Sequence, residues 1–247
     1  MDINSIIFLA GLIFIAAILY SSVGHAGASG YLAAMALLGL APLEMKPAAL
    51  TLNILVATIG TVKYVKAGRF SWRIFWPFAV CSVPFAYLGG LINLPGIYYK
   101  PIVGIVLIYA AIRFVMNATN HDYVIKNAQV PIILVSGAGL GFLSGLVGVG
   151  GGIFLSPLLI MFRWEEIKNV SGIAAAFILV NSVAGLLGFS TSNSPQMPDG
   201  LPLWAVAAVL GGYIGAEYGS KRLVNQTIKH LLSLVLFIAG IKMIATA

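Results

Sequence analysis

Residues 141–158 read Gly141-Phe142-Leu143-Ser144-Gly145-Leu146-Val147-Gly148-Val149-Gly150-Gly151-Gly152-Ile153-Phe154-Leu155-Ser156-Pro157-Leu158, an apolar run broken by a cluster of glycines. Glycine costs roughly 1 kcal/mol per residue relative to alanine inside a helix, so such a cluster is expensive unless the backbone must leave the helical path there. A second break, Gly24-His25-Ala26-Gly27-Ala28-Ser29-Gly30, lies in the first half of the chain. Sliding the sequence by 124 residues sets Val23-Gly24 on Val147-Gly148, Gly27 on Gly151, Ile54-Leu55-Val56 on Ile178-Leu179-Val180 and Thr58 on Ser182. A shift of 129 then sets Gly90 on Gly219, Val106-Leu107 on Val235-Leu236 and Arg113 on Lys242. The halves, residues 1–120 and 121–247, are related copies within one membrane domain.

The surroundings are those of a membrane protein. The 247 residues are 60% hydrophobic and 9% charged, with mean hydropathy +1.00, against about 25% charged in soluble domains. Each half holds five apolar segments. In the first they run Ser5–Ser22, Gly27–Leu40, Pro47–Val62, Ile74–Ile92 and Pro101–Asn117; in the second, Val130–Leu146, Gly151–Phe162, Ser171–Phe189, Leu203–Gly219 and Ile228–Ala245. The expected fold is therefore all-α and integral to the bilayer, with no room for a soluble catalytic domain. The second segment of each half, 12 to 14 residues long, falls short of the about 20 needed to span and is either re-entrant or oblique. The N-terminal run has Asp2 but no basic flank, so it is read as a segment of the mature protein rather than a secretory signal. Cys81 is the single cysteine, which excludes an internal disulfide and a cysteine metal cluster.

Loop charge sets the orientation. Lys63–Arg73 carries Lys63, Lys66, Arg69 and Arg73, whereas its counterpart Ser190–Pro202 has no base and one acid, Asp199. The next pair reverses: Asn93–Lys100 has one lysine, and Ser220–Lys229 has Lys221, Arg222 and Lys229. Corresponding loops thus face opposite sides, as in an inverted-topology repeat. With both termini external, 11 of the 14 basic residues fall on the cytoplasmic side. The net charge of +7 is then a topology signal and not a nucleic-acid footprint.

Non-helical backbone at membrane depth is tolerated beside a cavity, where it exposes the first N–H groups of the next helix. A helix start carries about half a positive charge and attracts anions. Packing of small residues, as at Ser144, Gly145, Gly148 and Gly152, is the competing explanation. Paired breaks at matching places in both halves favour a substrate site. The candidate binding residues are Gly24, His25, Gly27 and Ser29 at the first break and Gly148, Gly150, Gly151 and Gly152 at the second. Asn53, Asn181 and Ser182 on the paired third segments join them as neutral donors. Thr51 and Thr58 share the first of those segments, and His25 lies in the first break, whereas His121 and His230 fall near loops expected to be cytoplasmic. No Asp or Glu lies in the middle of a segment, so nothing repels an anion and no carboxylate relay is available. Arg113 and Lys242 are expected to snorkel to headgroups, and Trp72, Trp76, Trp164 and Trp204 to mark the interfaces.

The 141–158 stretch resembles the glycine-rich motif of the sulfite exporter TauE/SafE family, and Ser21-Ser22-Val23-Gly24-His25-Ala26-Gly27-Ala28-Ser29-Gly30-Tyr31-Leu32 is similar to the other copy in one branch of it. The resemblance implies a cell-membrane permease, in the inner membrane of a bacterium, for sulfite, sulfonates and related organosulfur anions. The expected partners are a small anionic substrate and the lipid bilayer, with no cofactor, no nucleic acid and room for a homo-oligomer. Export is the expected direction. No phosphate-binding Gly-x-x-x-x-Gly-Lys-Ser/Thr pattern occurs. A membrane-embedded enzyme would need a nucleophile and base, for which only His25, serines and Cys81 are at hand. A non-transporting membrane subunit would leave the duplicated breaks unexplained.

Overall fold

The computed structural model describes residues 1–116, 124–192, 195–221 and 226–245. They form ten helices: α1 (Ile3–Ser21), α2 (Ala28–Leu37), α3 (Pro42–Lys66), α4 (Trp72–Leu91), α5 (Gly96–Met116), α6 (Val130–Val147), α7 (Gly152–Met161), α8 (Ile167–Ser192), α9 (Leu201–Lys221) and α10 (Gln226–Ala245). No strand occurs among the described residues. Local chemistry sets several boundaries. Asp2 caps α1, accepting from the Ser5 hydroxyl at 2.5 Å and the Ser5 N–H at 3.4 Å. Pro42 opens α3, whose first turn carries Glu44 and whose last turn carries Lys63 and Lys66, as the helix dipole favours.

The helices α2 and α7 are 10 residues each, shorter than the 12 to 14 expected. At about 1.5 Å rise they reach about 15 Å, half of a bilayer core of about 30 Å. Neither crosses by itself. Six helices among the described residues are long and apolar enough to cross: α1, α3, α4, α6, α8 from Asn169, and α9. Exposed Ile7, Phe8, Ile15, Val80, Val135 and Leu187 on these helices give them lipid-compatible outer faces.

Contacts repeat between the halves. α1 packs on α9 as α6 packs on α4; α3 packs on α9 as α8 packs on α4; and α3 and α8 pack on each other, as do α5 and α10. Glycine stripes make the close approaches. A Cβ at Gly211, Gly215 or Gly219 of α9 would fall 2.5, 2.2 or 2.0 Å from the carbonyl of Phe14, Ile18 or Ser22 in α1. In α6, a Cβ at Gly141 or Gly145 would fall 2.1 or 1.9 Å from the carbonyl of Ser82 or Ala86 in α4. Membrane helices lack a hydrophobic drive to associate with one another, so backbone proximity of this kind carries the packing.

Two expectations about the ends fail for packing reasons. Trp164 and Trp204 are buried, 4% and 0% exposed, and the Trp204 indole donates to the Ile6 carbonyl at 3.1 Å; Trp72 and Trp76 do face outward. Lys242 does not snorkel: its ammonium donates to the Leu37 carbonyl at 2.5 Å, capping α2. The side chain of Arg113 lies outside the described residues.

Candidate substrate site at the two glycine breaks

The first break follows α1. Gly24 and Gly27 have φ of +80° and +108°, a left-handed conformation that side chains with a Cβ rarely adopt. The carbonyls left over where α1 ends are taken by phenols. Tyr64 donates to Ser21 and Ser22 at 3.1 and 3.0 Å, and Tyr31 donates to Ala26 at 2.6 Å. The first backbone N–H to bond within the next helix is that of Tyr31, to Gly27 at 2.9 Å, so α2 opens with the amides of Ala28, Ser29 and Gly30 outside its ladder. Gly24 packs on α8, where a Cβ would meet the Ser171 carbonyl at 2.3 Å, and Gly27 packs beneath the Tyr31 ring. Ser29 is 2% exposed.

The second break repeats the plan with different side chains. Gly148, Gly150 and Gly151 have φ of +87°, +80° and +79°. Tyr99 donates to the Val147 carbonyl at 3.0 Å, and the Val149 carbonyl accepts from the Asn53 amide at 3.3 Å. The same Asn53 nitrogen lies 3.4 Å from the Ser182 hydroxyl. Gly150 sits against this pair: a Cβ there would be 2.8 Å from Asn53 Nδ2 and 3.1 Å from Ser182 Oγ. A Cβ at Gly151 would be 2.8 Å from the Phe177 ring and 3.3 Å from the Ser144 β-carbon, and one at Gly152 would be 2.5 Å from Ile178. The glycines permit the turn and admit α8 to the backbone, as the packing explanation requires.

His25 joins the breaks. Its Nε2 is 3.1 Å from the Gly152 carbonyl and 3.1 Å from the Ser156 hydroxyl. A carbonyl only accepts, so Nε2 carries the proton. The space beside the ring, between Ser21, Gly24 and Ala26 on one side and Val56, Ala57 and Gly60 of α3 with Ala175 of α8 on the other, is too tight to admit a water molecule.

Of the residues expected at the site, the structure brings His25 to Gly152, and Asn53 to Gly150 and Ser182. Asn53, Asn181, Ser182 and Ser144 are each 0% exposed. Asn181 donates to the Phe177 carbonyl one turn back at 2.8 Å, so its nitrogen is committed to its own helix. Thr51 and Thr58 do not join the site, because each hydroxyl is bonded to its own helix, to Pro47 at 2.9 Å and Ile54 at 2.7 Å.

Three groups escaped the sequence reading. Ser156, the partner of His25, sits in an apolar run with only the following proline to mark it. Tyrosines 31, 64 and 99 look like ordinary apolar-segment aromatics until the orphan carbonyls are located. Lys46 was placed outside the third segment, yet α3 begins at Pro42 and carries it inside, 3% exposed. Its ammonium donates to the carbonyls of Gly89, Gly90 and Ile92 at 3.4, 3.3 and 3.1 Å, where α4 ends, and lies 5.2 Å from the centre of the Phe189 ring. Proline at the first helical turn was the available signal. Elsewhere the charges pair near helix ends: Glu217 bridges Lys63 and Lys221, and Arg69 donates to the Gly219 carbonyl at 3.2 Å.

Comparison with known proteins agrees with this architecture. The family described as sulfite exporter TauE/SafE matches residues 9–243. A probable membrane transporter protein of Sinorhizobium fredii is 39% identical over 96% of this chain and 97% of its own length. Proteins of the same description from Methanocaldococcus jannaschii and Haemophilus influenzae are 29% and 26% identical, over 75% and 77% of this chain and 73% and 77% of theirs. No solved structure matches the chain. The chain belongs to the sulfite exporter TauE/SafE family and is a transmembrane transporter, not an enzyme.

Proposed function

We propose that this transporter is a secondary permease for a small sulfur-containing oxyanion, of the sulfite or organosulfonate type, working by alternating access of two inverted halves around a site between the glycine breaks. The observation that carries the reading is the meeting of the two breaks. His25 of the first touches Gly152 and Ser156 of the second, and Asn53 of the first half holds Val149 of the second. Two short helices, α2 and α7, begin there, and helix starts favour anions. Asn53 and Ser182 adjoin this place from α3 and α8, but the amide nitrogens of Asn53 and Asn181 are already given to carbonyls, so the anion's donors are the helix starts. The mirrored contacts of the halves support a repeat that rocks as two bodies.

Export is the favoured direction, because an anion leaving an inside-negative cell gains about 2.3 kcal/mol per charge per 100 mV. The orientation that goes with it has both termini outside the inner membrane. The test is efflux of sulfite from liposomes containing the purified protein and no other. Efflux above that of protein-free liposomes, competed by a small sulfonate and not by a neutral solute of similar size, is the expected result; equal rates with and without protein overturn the reading.

A further inference from the structure

Three buried oxygens at the second break have no hydrogen-bond partner: Asn53 Oδ1, Asn181 Oδ1 and Ser144 Oγ. The orientation of the two amides is fixed by what faces them. Asn53 turns its nitrogen to the Val149 carbonyl, and Asn181 turns its nitrogen to the Phe177 carbonyl; flipping either amide would set oxygen against oxygen. The two amide oxygens left over are acceptors only, and the Ser144 hydroxyl can turn a lone pair to the same ligand. They suit a cation and repel an anion.

The residues that carry them adjoin one stretch of backbone. Gly150 lies against the Asn53 amide, and Gly151 against the Ser144 β-carbon and the Phe177 ring. Asn181 follows Phe177 by one turn on the same face of α8. The geometry points to a binding site for an alkali-metal cation at the second break, formed by the unpartnered oxygens of Asn53, Asn181 and Ser144. Neutral hydroxyl, amide and carbonyl oxygens around an interrupted membrane helix are the donors such an ion takes where no carboxylate is present.

The site deepens the anion-permease reading and rests on it for its role. Asn53 and Ala57 are one turn apart on α3, about 6 Å of rise, and Ala57 lies beside His25 of the first break. A cation at Asn53 therefore offsets the charge of an anion admitted between the breaks, which is otherwise costly at membrane depth. Each ion raises the affinity for the other by the same factor. Potassium, abundant inside cells, accompanies export; sodium, abundant outside, accompanies uptake.

Thermal unfolding of the detergent-solubilised protein in NaCl, KCl or choline chloride at equal ionic strength, without sulfite, tests the cation site alone. One alkali chloride should raise Tm over choline by about 3 °C or more. Ser144→Ala removes an oxygen that bonds to nothing in the protein, so it should leave Tm in choline unchanged or higher and abolish the alkali-dependent rise. Asn181→Leu, which removes a second unpartnered oxygen, should halve the rise or more. The same Tm in all three salts, or an undiminished rise in Ser144→Ala, overturns the site and leaves these oxygens to buried water. Sulfite efflux in choline alone tests the anion reading separately, so either can fail without the other. Where efflux occurs, the stabilising cation should raise it at least fivefold at limiting sulfite, and no change would sink the coupling.

Discussion

His25 and Gly152, 127 positions apart, are joined by a 3.1 Å hydrogen bond from imidazole to peptide carbonyl. The donor stands between α1 and α2 and the acceptor is the first residue of α7, so one bond ties the interrupted segments of the two halves together. A buried carbonyl that loses its donor costs about 1–3 kcal/mol, and about 2–4 °C of Tm goes with each kcal/mol for a chain of this size. His25→Ala should lower Tm by several degrees and reduce sulfite efflux at least tenfold, while His25→Gln, which keeps an N–H to donate, should recover most of the Tm. Full efflux in His25→Ala would show that the tie between the breaks is dispensable.

Gly150 and Gly139 make a contrast within 12 residues. Gly150 has φ +80° and a Cβ there would press on Ile178 and Asn53, whereas nothing lies within 4 Å of a Cβ at Gly139 on α6. Gly150→Ala should destabilise by about 2 kcal/mol or more through backbone strain and overpacking. Gly139→Ala should stabilise by about 0.5–1 kcal/mol, since the helix geometry suits alanine. Thermal unfolding of the two variants side by side checks the pair, and similar shifts would mean that the break at Gly150 is loosely packed.

The breaks were legible because glycine is costly in an apolar helix, so its clustering stands out at Gly148–Gly152 and again at Gly24–Gly30. Third-segment residues were legible for a similar reason: Asn53, Asn181 and Ser182 are polar where polarity is expensive. What the residue types could not give was direction. An amide has a donor and an acceptor, and only the facing carbonyls of Val149 and Phe177 decide which one is left over. Lysine 46 was missed because a cation at a segment edge reads as solvated, and its burial depends on the α4 carbonyls that come to meet it. Trp204 is a parallel case, since its packing under Ile6 belongs to a helix pair 198 residues apart in sequence.

Lys46 leads to its own prediction. Three carbonyls at the end of α4 share its ammonium, and no carboxylate pairs with it among the salt bridges of the described residues. Lys46→Met keeps most of the buried stem but strands those carbonyls, which should cost about 2–3 kcal/mol. Lys46→Arg keeps the charge and the donors but adds bulk beside Gly148, where the stem is already close, so it should restore only part of the loss. Unfolding temperatures rank the three proteins. An unchanged Tm for Lys46→Met would mean that the end of α4 finds other donors.

The last prediction concerns orientation, where two loops of opposite character decide. Ala67 follows α3 in the segment that carries Lys63, Lys66, Arg69 and Arg73, and it is exposed; Gln196 lies between α8 and α9, exposed, in a stretch whose one charge is Asp199. Bases near membrane helix ends are retained in the cytoplasm, while acids have little influence. The ion pairs leave this bias in place: Glu217 neutralises one charge of Lys63 and Lys221 together, and Lys66, Arg69 and Arg73 add three more at the loop after α3. Cysteines placed one at a time at these positions, with Cys81 replaced by alanine, should differ in intact cells. Gln196→Cys should react with an impermeant maleimide and Ala67→Cys should react only after the membrane is opened. That labelling pattern, together with the mirrored packing of α1 on α9 and α6 on α4, is what an inverted repeat about an axis in the membrane plane requires. Labelling of both positions from outside would break that relation, and labelling of Ala67→Cys alone would invert the whole molecule.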